Sequence, residues 1–211
     1  MRNNGIRKVF FTSDWHVGHA KSIEFDKRPF KDVDHMHRVL INNYNATVPE
    51  DGICYFLGDI GISKHETVKK VVNELNGTKV CILGNHDGGV NSLYRAGFDV
   101  VMYGGRLIIA SQEVTMTHCP LLGLYREDIS GMKGAQENEN WHGENREKHR
   151  RFTIPDRGQF HLHGHIHSPN DGRSKKILDK QYDVGVVAND YRPVSISVIE
   201  SWIAKYAQRT L

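Results

Sequence analysis

The chain has 211 residues and a mass of 24.1 kDa, the size of one α/β domain. Hydrophobic residues make up 38% and charged residues 25%, which is lean but enough apolar matter for a core. The net charge of +3 gives no global basic field of the kind that favours nucleic acid, and no apolar run approaches the length of a membrane span.

The first residues, 1–9, are polar and basic and lack the apolar stretch of a signal peptide. The cysteines Cys54, Cys81 and Cys119 have no metal-ligand spacing, and Cys54 and Cys81 lie in apolar runs. They read as small buried hydrophobes of a reducing, cytoplasmic setting. The 13 histidines exceed what packing requires, so their positions carry information.

Val9-Phe10-Phe11-Thr12 predicts a strand that ends at Ser13-Asp14-Trp15-His16. Asp14 and His16 are two apart and point the same way on extended backbone. A carboxylate with an imidazole suits a first-row divalent metal; the plainer alternative is a helix cap beside a chance histidine. Residues 17–31 read as loop, with His19 either a substrate contact or a surface histidine. Asp32 is placed to cap a helix running to about residue 46, whose Val33, Met36, Val39, Leu40 and Tyr44 recur at helical spacing.

Ile53-Cys54-Tyr55-Phe56-Leu57 predicts a second buried strand, ending in Gly58-Asp59. Ser63 and Glu66 form a capping box for a helix with the stripe Val68, Val71, Val72 and Leu75. Asn76-Gly77 stops that helix. The third strand, Val80-Cys81-Ile82-Leu83, runs into Gly84-Asn85-His86-Asp87, where the glycine permits a sharp turn. Asn and Asp also form plain turns, so this stretch alone fits a polar turn or a site. The alternation of strands and helices over residues 7–87 predicts a parallel sheet with helical crossovers. All three strands place polar residues at the same end, and such sheets bind ligands beyond the carboxyl ends of their strands.

A short helix near residues 90–96 follows, then strands at 98–103, 106–110 and 113–117. Gly104-Gly105 and Ser111-Gln112 read as hairpin turns. The last of these strands ends in His118-Cys119-Pro120. Residues 121–158 are polar and too long for an ordinary connection. They predict a lid-like insertion, although the charged run 144–151 fits a solvated helix face equally well. In Phe160-His161-Leu162-His163-Gly164-His165-Ile166-His167, period two puts all the histidines on one side if the strand stays regular. His161 and His163 suit a partly structural role, and His165 and His167 lie at the strand end. Residues 181–188 predict another strand, and Ser195 caps a last helix with Ile196, Ile199, Ile203 and Tyr206 on one face.

The blocks Asp14-x-His16, Gly58-Asp59, Gly84-Asn85-His86-Asp87, His118 and Gly164-His165-x-His167, in this order, resemble the calcineurin-like metallophosphoesterase superfamily. In detail the chain is similar to the small single-domain phosphoesterases of bacteria and their phages. The resemblance implies one domain over residues 1–211 with a four-layer α-β-β-α sandwich of two mixed sheets flanked by helices. It implies two divalent metal ions, Mn²⁺ first with Fe, Ni, Co or Zn as alternatives. Asp14, His16 and His167 would hold one ion, Asn85, His118 and His165 the other, and Asp59 would bridge them. His86 would be the proton donor, with Asp87 orienting its ring.

The implied activity is phosphoester hydrolysis, by a phosphodiesterase or phosphatase acting on a small nucleotide-like substrate. The protein Ser/Thr phosphatases of the superfamily continue the second block with Asp-Arg-Gly, whereas this chain has Gly58-Asp59-Ile60-Gly61, so phosphoprotein is disfavoured. Trp15 could line the pocket or simply pack. The insertion offers Tyr125, Trp141 and Phe152 as stacking surfaces, and Arg126, Arg146, Lys148, Arg150 and Arg151 as phosphate partners. His19, Arg126, Trp141, Arg146 and Arg150 are therefore the candidate substrate contacts. A metal-dependent nuclease is the alternative enzyme, with nucleic acid not favoured, and a non-catalytic binding scaffold is the alternative of another class. The oligomeric state is not legible.

Overall fold

The computed structural model describes residues 8–61, 65–121, 151–169, 177–178 and 180–207. Alternation along the first strand, β1 (Val9–Thr12), sets the layers: Phe10 enters a core beneath the helices and Phe11 a second core between two sheets. β2 (Ile53–Phe56), β3 (Thr78–Ile82) and β4 (Val100–Met102) follow in parallel. Helical crossovers make this arrangement. In α2 (Val33–Asn45), the Asp32 carboxylate accepts from the His35 N–H, and Met36, Leu40 and Tyr44 are buried. In α3 (His65–Asn73), Val68, Val71 and Val72 are buried; Ser63, expected to cap it, lies outside the described residues. α4 (Val90–Ala96) ends at Gly97 in the left-handed conformation. These three helices bury their apolar faces with Phe10, Cys54, Phe56 and Cys81 of the first sheet.

The second sheet has the order β5 (Gly105–Ile109), β6 (Gln112–Met116), β7 (Phe160–His163), β9 (Gln181–Asp183), β8 (Ile177–Leu178). It mixes parallel and antiparallel pairs, as does the first, where β10 (Val194–Ser195) runs antiparallel to β1. Phe11, Leu57 and Ile82 from the first sheet meet Val114, Met116, Leu162 and Tyr182 from the second. The last helix, α5 (Ile196–Ala207), adds Ile199, Trp202 and Ile203 to this core. Trp202 packs edge-on against Phe160, at the start of β7 and so away from its functional end. Among the described residues, no helix is long and apolar enough to cross a membrane.

Four expectations change. The stretch read as loop contains α1 (Ala20–Phe25). Gly104-Gly105 is not a hairpin turn: β4 pairs with β3 and β5 with β6, so the chain passes there from one sheet to the other. Met102 and Leu107 both pack on the core between the sheets, and apolar alternation is the same for a hairpin and for a step between stacked sheets. The β5–β6 turn is Ala110-Ser111, one residue earlier than expected, with φ of 50° and 60°, the paired left-handed conformation of a tight hairpin. The strand expected over residues 181–188 stops at Asp183, because the Asn189 amide donates to the carbonyls of Asp183 and Gly185 and curls the chain into a 3₁₀ turn at Val187–Asn189.

Candidate metal centre

The carboxyl ends of strands from both sheets converge on one edge. Beyond β1, the Asp14 and His16 amides donate to the carbonyls of Gly58 and Asp59 (3.1 Å each), joining the two segments that follow β1 and β2. The Val186 amide donates to Ser13 O at 3.0 Å, joining the second sheet to the first, and the Gly164 amide donates to His118 O at 2.9 Å, joining the segments that follow β6 and β7. Asp14, His16, Asp59, His165 and His167 all have left-handed backbone, with φ of 61°, 52°, 53°, 71° and 45°. Each such non-glycine residue costs about 1–3 kcal/mol. A plain turn has no reason to concentrate that cost on five acids and histidines aimed at one point.

Close approach also explains the glycines. A Cβ at Gly84 would run into the backbone nitrogen and Oδ1 of Asp59, and one at Gly164 into the side chains of Ser13 and Asp14. Gly84→Ala is expected to destabilise the fold by about 1–3 kcal/mol, the usual overpacking cost, because backbone rather than a flexible tip must move. A thermal unfolding midpoint equal to that of the wild type would contradict this.

The side chains form two sets that share one carboxylate. In the first, His16 Nε2 lies 3.0 Å from His167 Nε2, which is 3.5 Å from Asp14 Oδ1. In the second, His118 Nε2 lies 2.9 Å from Asn85 Oδ1, and the His165 ring centroid is 5.1 Å from that of His118. Asp59 Oδ2 stands between them, 3.4 Å from His118 Nε2 and 3.9 Å from His16 Nε2. Every residue expected as a ligand is in this cluster. Cys119 also comes within reach, since a ligand atom from each of His118, Cys119 and His165 falls within 4.8 Å of the others; no spacing in the sequence signalled it.

The donor set fits divalent cations. His118 Nδ1 is 2.7 Å from Leu57 O, so it carries the proton and leaves the Nε2 lone pair facing the oxygens of Asn85 and Asp59. His167 Nδ1 is 2.9 Å from both oxygens of Asp26, which leaves its Nε2 facing His16 Nε2 and Asp14. Such lone pairs and carboxylates repel unless protons or cations lie among them. Burial favours neutral His118, but the Asp59 carboxylate overrides it and pushes the imidazole up to about 9. Burial is likewise outweighed at His167, which Asp14 and Asp26 raise to about 10. Burial would raise Asp14 and Asp59, yet His167 and His118 respectively hold them far below the usual carboxylate range. His16, depressed to about 4 by burial and then by His167, stays neutral and offers a lone pair. Mixed oxygen and imidazole donors of this kind suit Mn, Fe, Co, Ni or Zn.

His86 is exposed at the mouth of the cluster, its ring centroid 5.9 Å from that of His16. Its backbone N–H donates to Asp59 Oδ1 at 2.9 Å and so aims the shared carboxylate. Asp87 does not orient the His86 ring as expected. Its carboxylate accepts from the backbone N–H groups of Gly84 (2.8 Å), Ile60 (2.9 Å) and Asp59 (3.1 Å). Short reach explains this: the side chain folds back onto the Gly84 amide of its own turn and the Asp59 and Ile60 amides of the turn beside it. Burial, followed by the charge of Asp59, raises the Asp87 carboxyl to about 6. Asp87 is thus a positioning residue that ties the β3 turn to the β2 turn.

His19 is half-buried, with its ring centroid 5.8 Å from that of His16, so it borders the cluster. Trp15 simply packs, 1% exposed and against Tyr44 and Phe56. Phe152 is not a stacking surface but a core residue that lies edge-on to His118. Tyr125, Arg126, Trp141, Arg146, Lys148 and Arg150 lie outside the described residues. β7 ends at His163, so the four histidines do not share one side. His161 is buried among Thr115, Thr117 and the Cys119 carbonyl, a structural role.

Asp26 and Arg28 were not singled out by sequence. Arg28 is 4% exposed; its Nη2 donates to Asp14 O (3.0 Å), its Nη1 to Trp15 O (3.1 Å) and its Nε to Asp26 (2.9 Å). It clamps the ligand-bearing turn and fixes the carboxylate that orients His167. Asp183 does similar work, accepting from the Ser168 and Gly185 amides. In the sequence, Asp26-Lys27-Arg28 is an ordinary charged loop tripeptide, and nothing in it signals burial.

Fold and site together define a mixed α/β protein whose strand ends bring His and Asp side chains into adjacent groups that could hold a metal ion. No family model matches the chain. It is 39% identical over 204 residues to the uncharacterized protein MJ1445 of Methanocaldococcus jannaschii, covering 95% of this chain and 93% of that one. The chain belongs to the same family as that archaeal protein. It is also 26% identical over 204 residues to the gene 66 protein of Mycobacterium phage L5, covering 87% of this chain and 88% of the phage protein. In architecture it is similar to the crystal structure of the protein of unknown function AQ665 from Aquifex aeolicus, with a TM-score of 0.65, 23% identity, 93% of this chain covered and 100% of that one. This last likeness concerns the fold alone.

Proposed function

We propose that the protein is a dinuclear metal-dependent phosphoester hydrolase of the calcineurin-like metallophosphoesterase superfamily, with the four-layer α-β-β-α sandwich of that group. The observation that carries this reading is the pair of donor sets meeting at Asp59, with the imidazole of His86 at their mouth. Two stacked mixed sheets, with α2, α3 and α4 over the first, support it.

Asp14, His16 and His167 would hold one ion, Asn85, His118 and His165 the other, and Asp59 both. When bound, such a pair supplies Lewis acidity, lowering the pKa of water from 15.7 to about 7 and offsetting charge on phosphate oxygens. The chain's own residues do the rest. Asp59 is aimed by the His86 N–H, and its turn is held by Asp87. His167 is oriented by Asp26, and Asp14 by the His165 amide. His86, exposed and beside His16, would protonate the leaving oxygen, a contribution of about 10²–10⁴-fold. The substrate would be a small phosphoester, nucleotide-like in class. A filled His86 position speaks for an enzyme rather than a binding scaffold.

The test is hydrolysis of bis(p-nitrophenyl) phosphate and p-nitrophenyl phosphate by metal-stripped protein, with Mn²⁺, Ni²⁺, Zn²⁺ or Mg²⁺ added back. Turnover that depends on added metal is expected. No turnover of either ester with any of the ions would overturn the assignment. Asp26→Asn is expected to weaken Mn²⁺ binding by about 10–100-fold, the usual effect of losing the outer partner of a ligating histidine. Titration calorimetry checks this; an unchanged affinity would reduce Asp26 to a partner of Arg28.

A further inference from the structure

A cavity between α3 and α4 opens next to the candidate centre and is not used by any step above. His65, His86, Asp87 and Ser92 are among its lining residues. Ile60, Val68, Leu93 and Ala96, each at most 7% exposed, make its floor apolar. His65 Nε2 is buried without a hydrogen-bond partner among the described residues. The Asp87 oxygens already accept from the amides of Gly84, Asp59 and Ile60. No lysine or arginine is among the described residues that line the cavity.

His86 borders both the cavity and the cluster, since its ring lies 5.9 Å from that of His16. We propose that this cavity receives the leaving alcohol of the ester, and that it selects an uncharged alcohol with an apolar face and one polar edge. The inference rests on the phosphoesterase reading. A proton given by His86 must go to the oxygen that departs, so the departing group lies on the His86 side of phosphorus, where the cavity is. The apolar floor accepts a ring or short aliphatic group by burial. The buried His65 Nε2 and the Ser92 hydroxyl, both in the cavity wall, offer that group hydrogen bonds. An anionic leaving group, such as a sugar phosphate or a carboxylated phenol, would lose its hydration there and face the Asp87 carboxyl, with no lysine or arginine among the described lining residues. In the step itself, the P–O bond to the alcohol breaks, its electron pair stays on that oxygen, and the oxygen takes the proton from His86. Water supplies the oxygen of the new P–O bond and releases one proton to solvent, from which His86 is reprotonated.

The experiment compares methyl phenyl phosphate with methyl 3-carboxyphenyl phosphate, whose leaving phenols are alike in acidity but differ by one charge. The Mn²⁺-loaded wild type is expected to favour the uncharged ester by about tenfold or more in kcat/KM, mainly through KM, the size typical of one pocket contact. His65→Lys, a wall substitution, should reverse the preference, and Ala96→Met, which fills the floor, should raise KM for the phenyl ester. Equal kcat/KM for the two esters in the wild type, or an unchanged preference in His65→Lys, would overturn the proposal while metal-dependent hydrolysis of both esters still upheld the phosphoesterase reading. No metal-dependent hydrolysis of either ester would sink both.

Discussion

Asp59→Asn is expected to lose bound cations and turnover together. The substitution keeps the shape of the side chain and removes the one charge common to both donor sets. Asp59 Oδ2 stands 3.4 Å from His118 Nε2 and 3.9 Å from His16 Nε2, and Oδ1 accepts the His86 N–H. An asparagine must either turn its NH₂ towards the imidazole lone pairs, where a cation would sit, or towards the His86 N–H, which then loses its acceptor. Losing an outer partner costs about 10–100-fold in affinity or activity, and losing the shared ligand should cost more. Metal content after gel filtration and hydrolysis of an aryl diester read the two effects in one preparation. A variant that retained two ions and wild-type turnover would remove Asp59 from the centre of the account.

His86→Ala separates chemistry from metal binding. The backbone N–H that aims Asp59 survives in alanine, and the lost ring is exposed rather than part of the core. Metal content should therefore stay at the wild-type level while kcat falls by about 10²–10⁴-fold, the usual contribution of a positioned acid. The loss should be largest for alkyl esters, whose leaving oxygens need the proton most, and smaller for p-nitrophenyl esters. Wild-type turnover of an alkyl diester by this variant would show that the acid assignment is wrong.

Much of the cluster was legible because buried strands announce their ends. Apolar runs closed by Asp14, Gly58-Asp59 and Gly84-Asn85 place chemistry at one edge of the first sheet, and His118 and Gly164-His165-x-His167 do so for the second. The helices other than α1 followed from spacing, and α2 also from the Asp32 cap. What escaped depends on direction and burial, which residue types do not encode. Asp26 and Arg28 look like solvated loop charges, yet Arg28 is 4% exposed and anchors the Asp14 turn. Asp87 follows His86 in sequence, but its oxygens turn back to backbone amides. Gly104-Gly105 marks a step between sheets that apolar alternation cannot tell from a hairpin. The left-handed backbone at Asp14, His16, Asp59, His165 and His167 is also invisible in residue types that rarely adopt it.

In the proposed centre two cations share Asp59. Crystals grown with Mn²⁺ and measured near the manganese absorption edge test it directly. Two anomalous peaks are expected, one among Asp14, His16 and His167 and one among Asn85, His118 and His165, with the Asp59 carboxylate in contact with both. A single peak, or ions bound away from Asp59, would contradict it.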